Sequence, residues 1–178
     1  MPEEIDMQAI VVFESHWGNT EAVARAIAEG IGPGTRVLTT DEATPELMTH
    51  ADLVVAGAPV MAFSLPRAGV EKQLAADTKA PRAADVSHPL LRSWLGGVPA
   101  GRGWFAAFET RIWWSPRGAT GTIESRLSKL GYRRLARGER FVVGGAYGPL
   151  RDGELERAKA WGAVLGEAAL VSRAAPAA

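Results

Sequence analysis

The residue pattern predicts an α/β fold: a doubly wound five-stranded parallel sheet, order 2-1-3-4-5, with helices on both faces. Short, wholly apolar runs rich in β-branched residues alternate with segments of helical periodicity, as strands buried on both faces require. A length of 178 residues with 47% apolar side chains suits one domain with a sizeable core. The expected domain covers residues 1–171 and leaves 172–178 as a frayed tail.

Taken in order, Ala9-Ile10-Val11-Val12-Phe13 reads as the first strand. Val23, Ala26, Ile27 and Ile31 then repeat at helical spacing, with Asn19 or Thr20 as the expected cap and Gly32-Pro33-Gly34 as the stop. Thr35 to Thr39 is a weaker second strand, and Leu53-Val54-Val55-Ala56-Gly57 a third. Val70 and Leu74 mark one short helix, and Leu90, Leu91 and Leu95 mark another. The Lys79–Asp85 stretch between them reads as a mobile loop. Trp104 to Phe108 is the fourth strand, followed by a helix on Ile123, Leu127 and Leu130 that Gly131 ends. Phe141-Val142-Val143-Gly144-Gly145 is the fifth strand. Asp152 is the expected cap of a last helix that turns Leu155, Ala158, Gly162, Leu165 and Ala169 to the core. Trp94 and Trp161 fall in helical patterns and read as packing residues. No repeat and no interdomain linker is visible.

Composition removes several chemistries. There is no cysteine, hence no disulfide, thiolate metal site or thiol nucleophile. His16, His50 and His88 have no metal-ligand spacing, and no Gly-x-Ser-x-Gly elbow is present. No apolar stretch is long enough to span a membrane, and the acidic start reads as a cytoplasmic protein. The net charge is zero, yet residues 1–60 hold ten acids and two bases, whereas 100–140 hold nine bases and three acids. That asymmetry either marks an anionic partner or cancels on folding. No aromatic–basic motif for nucleic acid accompanies it.

In this sheet order ligands bind beyond the carboxyl ends of the strands where the chain reverses, so the loops after strands 1, 3 and 4 carry the expected site. The first, Glu14-Ser15-His16-Trp17-Gly18-Asn19-Thr20, joins a buried strand to a helix N-terminus. Its glycine, hydroxyls and free amides suit a phosphate. No lysine follows the glycine as in a Walker A loop, and no G-x-G-x-x-G occurs there. A plain helix cap is the alternative.

Ser15-His16-Trp17-Gly18-Asn19-Thr20-Glu21 resembles the phosphate loop of the flavodoxin-like family, [Ser/Thr]-x-[Ser/Thr]-Gly-Asn-Thr, which cradles the phosphate of FMN. The resemblance extends through the five strands and three loops. It implies a flavodoxin-like fold, an FMN cofactor and a phosphate held by Ser15, His16, Trp17, Gly18, Asn19 and Thr20. Trp17 departs from the pattern by replacing the second hydroxyl. Flavin-dependent quinone reductases of the same superfamily carry an aromatic residue at that place.

The second loop, Pro59-Val60-Met61-Ala62-Phe63, is apolar and either covers a flavin ring or folds back onto the core. Phe63 or Met61 matches the aromatic that the family places there. The third holds Glu109, Thr110, Arg111, Trp113 and Trp114. The resemblance sets Glu109 to Arg111 against the ring edge or ribityl chain, with Thr110 and the backbone better suited than Glu109, whose charge disfavours the reduced flavin anion that Arg111 favours. Trp113 and Trp114 either stack on a flavin or pack under the next helix or a second subunit. His16 either donates a proton to a quinone or faces solvent.

Three functions are compatible with these residues. The first is an FMN-binding redox protein that passes electrons to a partner protein or small acceptor. The second is an FMN-dependent NAD(P)H:quinone-type oxidoreductase, and the third a flavin-free interaction module. A monomer and a homo-oligomer both fit; nucleic acid and membrane partners are not expected.

Overall fold

Each predicted strand forms, and the chain connects them as a doubly wound parallel sheet in a computed structural model that describes residues 6–175. The order is β2-β1-β3-β4-β5, with β6 also paired to β4. The strands are β1 (Ala9–Phe13), β2 (Arg36–Thr39), β3 (Leu53–Pro59), β4 (Trp104–Ile112), β5 (Arg133–Arg134) and β6 (Glu139–Val143). The helices are α1 (Asn19–Ile31), α2 (Pro45–His50), α3 (Val70–Ala75), α4 (Leu91–Gly97), α5 (Thr120–Lys129) and α6 (Glu154–Ala174).

The central strands are buried because both sheet faces are covered. Ile10 and Val12 join a core with Val54, Ala56, Leu91, Ile123 and Leu127, beneath α2, α4 and α5. Ala9, Val11 and Phe13 point the other way, into a core with Val23, Ile27, Phe108, Phe141 and Leu165 beneath α1 and α6. The two-residue side-chain period of a strand thus feeds both cores from one apolar run. On the second face α1 and α6 approach backbone to backbone. A Cβ at Gly162 would run into the Ile27 carbonyl, and one at Gly30 into that of Lys159.

Several expectations need correction. The fifth strand is an edge in two pieces: β5 pairs Arg133 and Arg134 with Trp104 and Phe105, and β6 pairs from Glu139–Phe108 to Val143–Ile112. The expected strand at 141–145 therefore starts two residues earlier, and Gly144 and Gly145 lie past its end. The α2 helix was not anticipated. It starts after Thr44 with Pro45 in its first turn and buries Met48.

Neither Asn19 nor Thr20 caps α1; Gly18 holds the cap position at φ 89°, a left-handed conformation that glycine adopts at no steric cost. Nor does Asp152 cap α6. Gly153 takes that position, and the first-turn Glu154 instead accepts the Val142 amide and pairs with Arg157. Leu155 is exposed, whereas Ala158, Gly162, Leu165 and Ala169 are buried as expected. Trp94 is buried, and Trp161 packs edge-on against Phe141. The α6 helix runs through Ala174 into the segment expected to fray, and residues 176–178 lie outside the described ones. Among the described residues no helix is long and apolar enough to cross a membrane, and no His/Asp/Glu cluster suits a metal ion.

Candidate functional site

A cavity of about 960 Å³ opens beyond the carboxyl ends of β1, β3 and β4, where the sheet order reverses. Its floor is the loop from β1 to α1. The first intrahelical bond of α1 runs from the Ala22 amide to the Gly18 carbonyl at 3.0 Å. A helix leaves its first amides without internal partners. Those of Asn19 and Thr20, and also of His16 and Trp17, have no hydrogen-bond acceptor among the described residues. The Gly18 amide is taken by Ser15 Oγ at 3.1 Å, which closes the loop on itself. Ser15, His16, Trp17, Asn19 and Thr20 line the cavity; Gly18 shapes it from behind, against Arg82.

Thr20 is buried, and its Oγ1 lies 2.7 Å from Thr110 Oγ1. Asn19 Nδ2 donates to the Tyr147 carbonyl at 3.1 Å. The Trp17 ring meets Tyr147 edge-on, centroids 5.0 Å apart, and its carbonyl accepts from the Arg82 guanidinium. Trp17 is therefore held at the cavity wall and does not plug it.

His16 is not solvent-facing: it is 5% exposed. Nε2 lies 2.8 Å from Glu14 Oε2, and Nδ1 lies 2.6 Å from the Asp85 carbonyl. The Asp85 amide donates back to the His16 carbonyl at 2.9 Å, while Glu14 Oε1 accepts the Leu91 amide at 2.6 Å. Burial pulls the His16 pKa down, but the Glu14 carboxylate and the Asp85 carbonyl outweigh it, leaving the value above the ordinary 6.5. A doubly protonated ring donates to both acceptors. The stretch expected to be a mobile loop is thus tied to the first loop through His16, which meets Asp85, and Trp17, which accepts from Arg82.

The second loop reverses in a tight turn. Met61 and Ser64 exchange amide–carbonyl bonds of 2.9 and 3.0 Å around Ala62 and Phe63, whose φ values are 47° and 61°. Left-handed backbone at two non-glycine residues costs on the order of 1–2 kcal/mol each. Pro59, Val60, Met61 and Ala62 line the cavity. Phe63 does not; it lies against Trp114 at its rim, centroids 6.0 Å apart.

The third segment divides, and its first part is not loop: Glu109 to Ile112 extend β4 four residues past the expected end at Phe108. Thr110 and Arg111 line the cavity, together with Ile112, which the sequence reading passed over. Glu109 is fully buried and faces away: Oε2 accepts the Ala119 and Thr120 amides at 2.6 and 2.9 Å, and Oε1 accepts Arg111 Nη1 at 3.0 Å. Its carboxylate caps α5, and the expected contact with a ring edge is not available to it. Trp113 and Trp114 neither pack under α5 nor line the cavity; they are 68% and 56% exposed.

Two further walls were missed. One runs from Arg67 through α3 to Lys79 and includes Gln73 and Asp77; α3 buries none of its residues and serves as a cover. The other is the loop after β6, from Gly145 to Tyr147. Tyr147 donates to Asp77 at 2.7 Å, which joins the two walls, raises the phenol pKa and lowers that of the carboxyl. The loop after the last strand lies at the same sheet end as the other three, so the predicted topology contained a signal for it.

Comparison with known proteins adds the fold class. No family model matches the sequence, and no curated protein matches it. Solved structures do. A flavodoxin from the domain Archaea superposes with a TM-score of 0.61 at 18% identity, over 91% of this chain and 98% of its own. Flavodoxin 1 of Bacillus cereus gives 0.62 at 15%, over 89% and 97%. The rubredoxin oxygen:oxidoreductase of Desulfovibrio gigas gives 0.63 at 17%, over 97% of this chain and 39% of that larger one. The chain therefore has the flavodoxin-like fold.

Proposed function

We propose that the chain is an FMN-binding redox protein that passes electrons through the cofactor. The observation that carries this reading is the row of unpartnered amides at His16, Trp17, Asn19 and Thr20, on a cavity floor where a helix begins. The residues present fit the group. The amides and the Thr20 hydroxyl would hold its phosphate, above the buried His16–Glu14 pair that fixes the loop. Thr110 and Arg111 would meet the polar part of the ring, and Val60, Met61 and Ala62 its apolar part. FMN would supply the electron-accepting ring.

The protein's own contribution is positioning and charge. Glu109 holds Arg111 at the cavity wall, where a buried guanidinium favours negative charge on a neighbouring group. The Tyr147–Asp77 contact ties the segment after α3 to the loop after β6 at the cavity wall.

One observation favours a second reading, an NAD(P)H:quinone-type oxidoreductase. The outer wall from Arg67 to Lys79 adds polar and cationic surface that neither the phosphate loop nor the ring loops require. The absorption spectrum of the isolated protein tests both readings. A flavin spectrum, present on isolation or after incubation with FMN and desalting, is the expected result. Colourless protein after both treatments removes both and leaves a flavin-free module. Turnover of NAD(P)H with a quinone above that of free FMN then selects the second reading over the first.

A further inference from the structure

We infer that the loop from β4 to α5, together with the sheet edge beside it, is the docking face for an acidic electron-transfer protein. Two features meet there. Trp113 and Trp114 are 68% and 56% exposed and stand with the half-exposed Phe63 at the rim of the cavity. Two neighbouring tryptophans left in water are costly unless a partner covers them, and exposed aromatics of this kind serve as binding anchors. Three residues on, the same loop reaches a second cavity of about 460 Å³, whose lining includes Arg117, Arg137 and Arg140.

The charge in that cleft is not neutralised from within. Among the described residues Arg117 and Arg137 have no carboxylate partner, and Arg140 comes only to 4.0 Å from Glu109. Glu109 is already committed to Arg111 and to the first turn of α5. Glu124, the other acid of the cleft, accepts the Gly138 amide and pairs with Arg134. Trp114 and Arg117 are three residues apart in one loop, so the exposed aromatics and the arginine cleft are neighbours along the chain from β4 to α5.

The chain's neutral total conceals an uneven distribution of charge along the sequence. Residues 100–140 carry six more bases than acids, whereas 1–60 carry eight more acids than bases. Three of those bases, Arg117, Arg137 and Arg140, line this cleft, and their charge favours a negatively charged partner there. The chemistry therefore selects an acidic protein surface with an apolar centre. The proposal rests on the flavin reading only for what docking accomplishes, since contact here sets a partner beside the mouth of the cavity.

The test uses two carriers of opposite charge: a plant-type ferredoxin, which is acidic, and cytochrome c, which is basic. Each is titrated into the FMN-free and the FMN-loaded chain by calorimetry, with the indole N–H resonances of Trp113 and Trp114 followed in parallel. Saturable ferredoxin binding that shifts both indoles and weakens as salt rises is expected, with no response to cytochrome c. The triple variant Arg117→Glu/Arg137→Glu/Arg140→Glu should weaken it by more than about tenfold. Trp113→Ser/Trp114→Ser, which changes no charge, should weaken it with the salt dependence unchanged. Equal binding of both carriers, no binding of ferredoxin at low salt, or tighter binding of a DNA duplex titrated in the same way each overturns the inference. The FMN-free arm reads docking alone, whereas failure to load FMN removes only the redox role.

Discussion

The hydroxyls of Thr20 and Thr110 lie 2.7 Å apart, joining the first turn of α1 to the end of β4 across ninety positions of sequence. One bond thus sets the spacing between the loop assigned to the phosphate and the loop assigned to the ring. Thr20→Ala removes it and also removes a donor to the proposed phosphate. FMN affinity should fall by about 1–2 kcal/mol, read as the dissociation constant from flavin fluorescence quenching. Affinity equal to that of the unsubstituted chain places the phosphate elsewhere.

Glu109 is a structural acid behind the cavity wall. Its carboxylate satisfies a buried Arg111 and two orphan amides of α5. Glu109→Ala leaves that guanidinium uncompensated and should cost about 3–5 kcal/mol of stability, measured by urea unfolding. Loss below about 1 kcal/mol would show that Arg111 finds water instead.

His16 makes stability depend on pH. Its folded-state pKa is raised, so the ring binds its proton more tightly in the native chain than in the unfolded one. The contribution is complete below the ordinary value of 6.5 and is lost as pH rises through the folded-state value. The stability gap between the native chain and His16→Phe, by chemical unfolding, should therefore shrink on going from mildly acidic to alkaline solution. A gap that widens with pH contradicts the protonated pair with Glu14.

The Met61–Ser64 turn stores strain at Ala62 and Phe63. Ala62→Gly relieves left-handed sterics at one of these positions and should stabilise the fold by about 1 kcal/mol, offset in part by unfolded-chain entropy. A higher melting temperature checks it. A lower one means the Ala62 methyl makes contacts that outweigh its strain.

The parts of this architecture that were legible in the sequence are those where one apolar run meets two cores. Ala9–Phe13, Leu53–Gly57 and Trp104–Phe108 carry their burial in composition alone, and the chain order follows from their spacing. The divided edge was hidden because Arg133 and Arg134 are polar and exposed, as an edge strand permits. The turn at Ala62 and Phe63 was hidden because neither residue is one that left-handed turns favour; tertiary closure through Met61 and Ser64 imposes it. His16 looked like a surface residue because its partners Glu14 and Asp85 come from two segments, one of them 69 positions away. Glu109 drew a site assignment by position, yet its direction was decided by the amides at Ala119 and Thr120.

The anionic end of the cofactor is the contact on which FMN binding depends most directly. Comparison of FMN with riboflavin, which has the same ring and no phosphate, isolates that contact in the unmodified protein. FMN should bind at least about tenfold more tightly, since several charge-assisted hydrogen bonds at Asn19 and Thr20 depend on the phosphate. Equal affinity for the two flavins, or none for either, would contradict it.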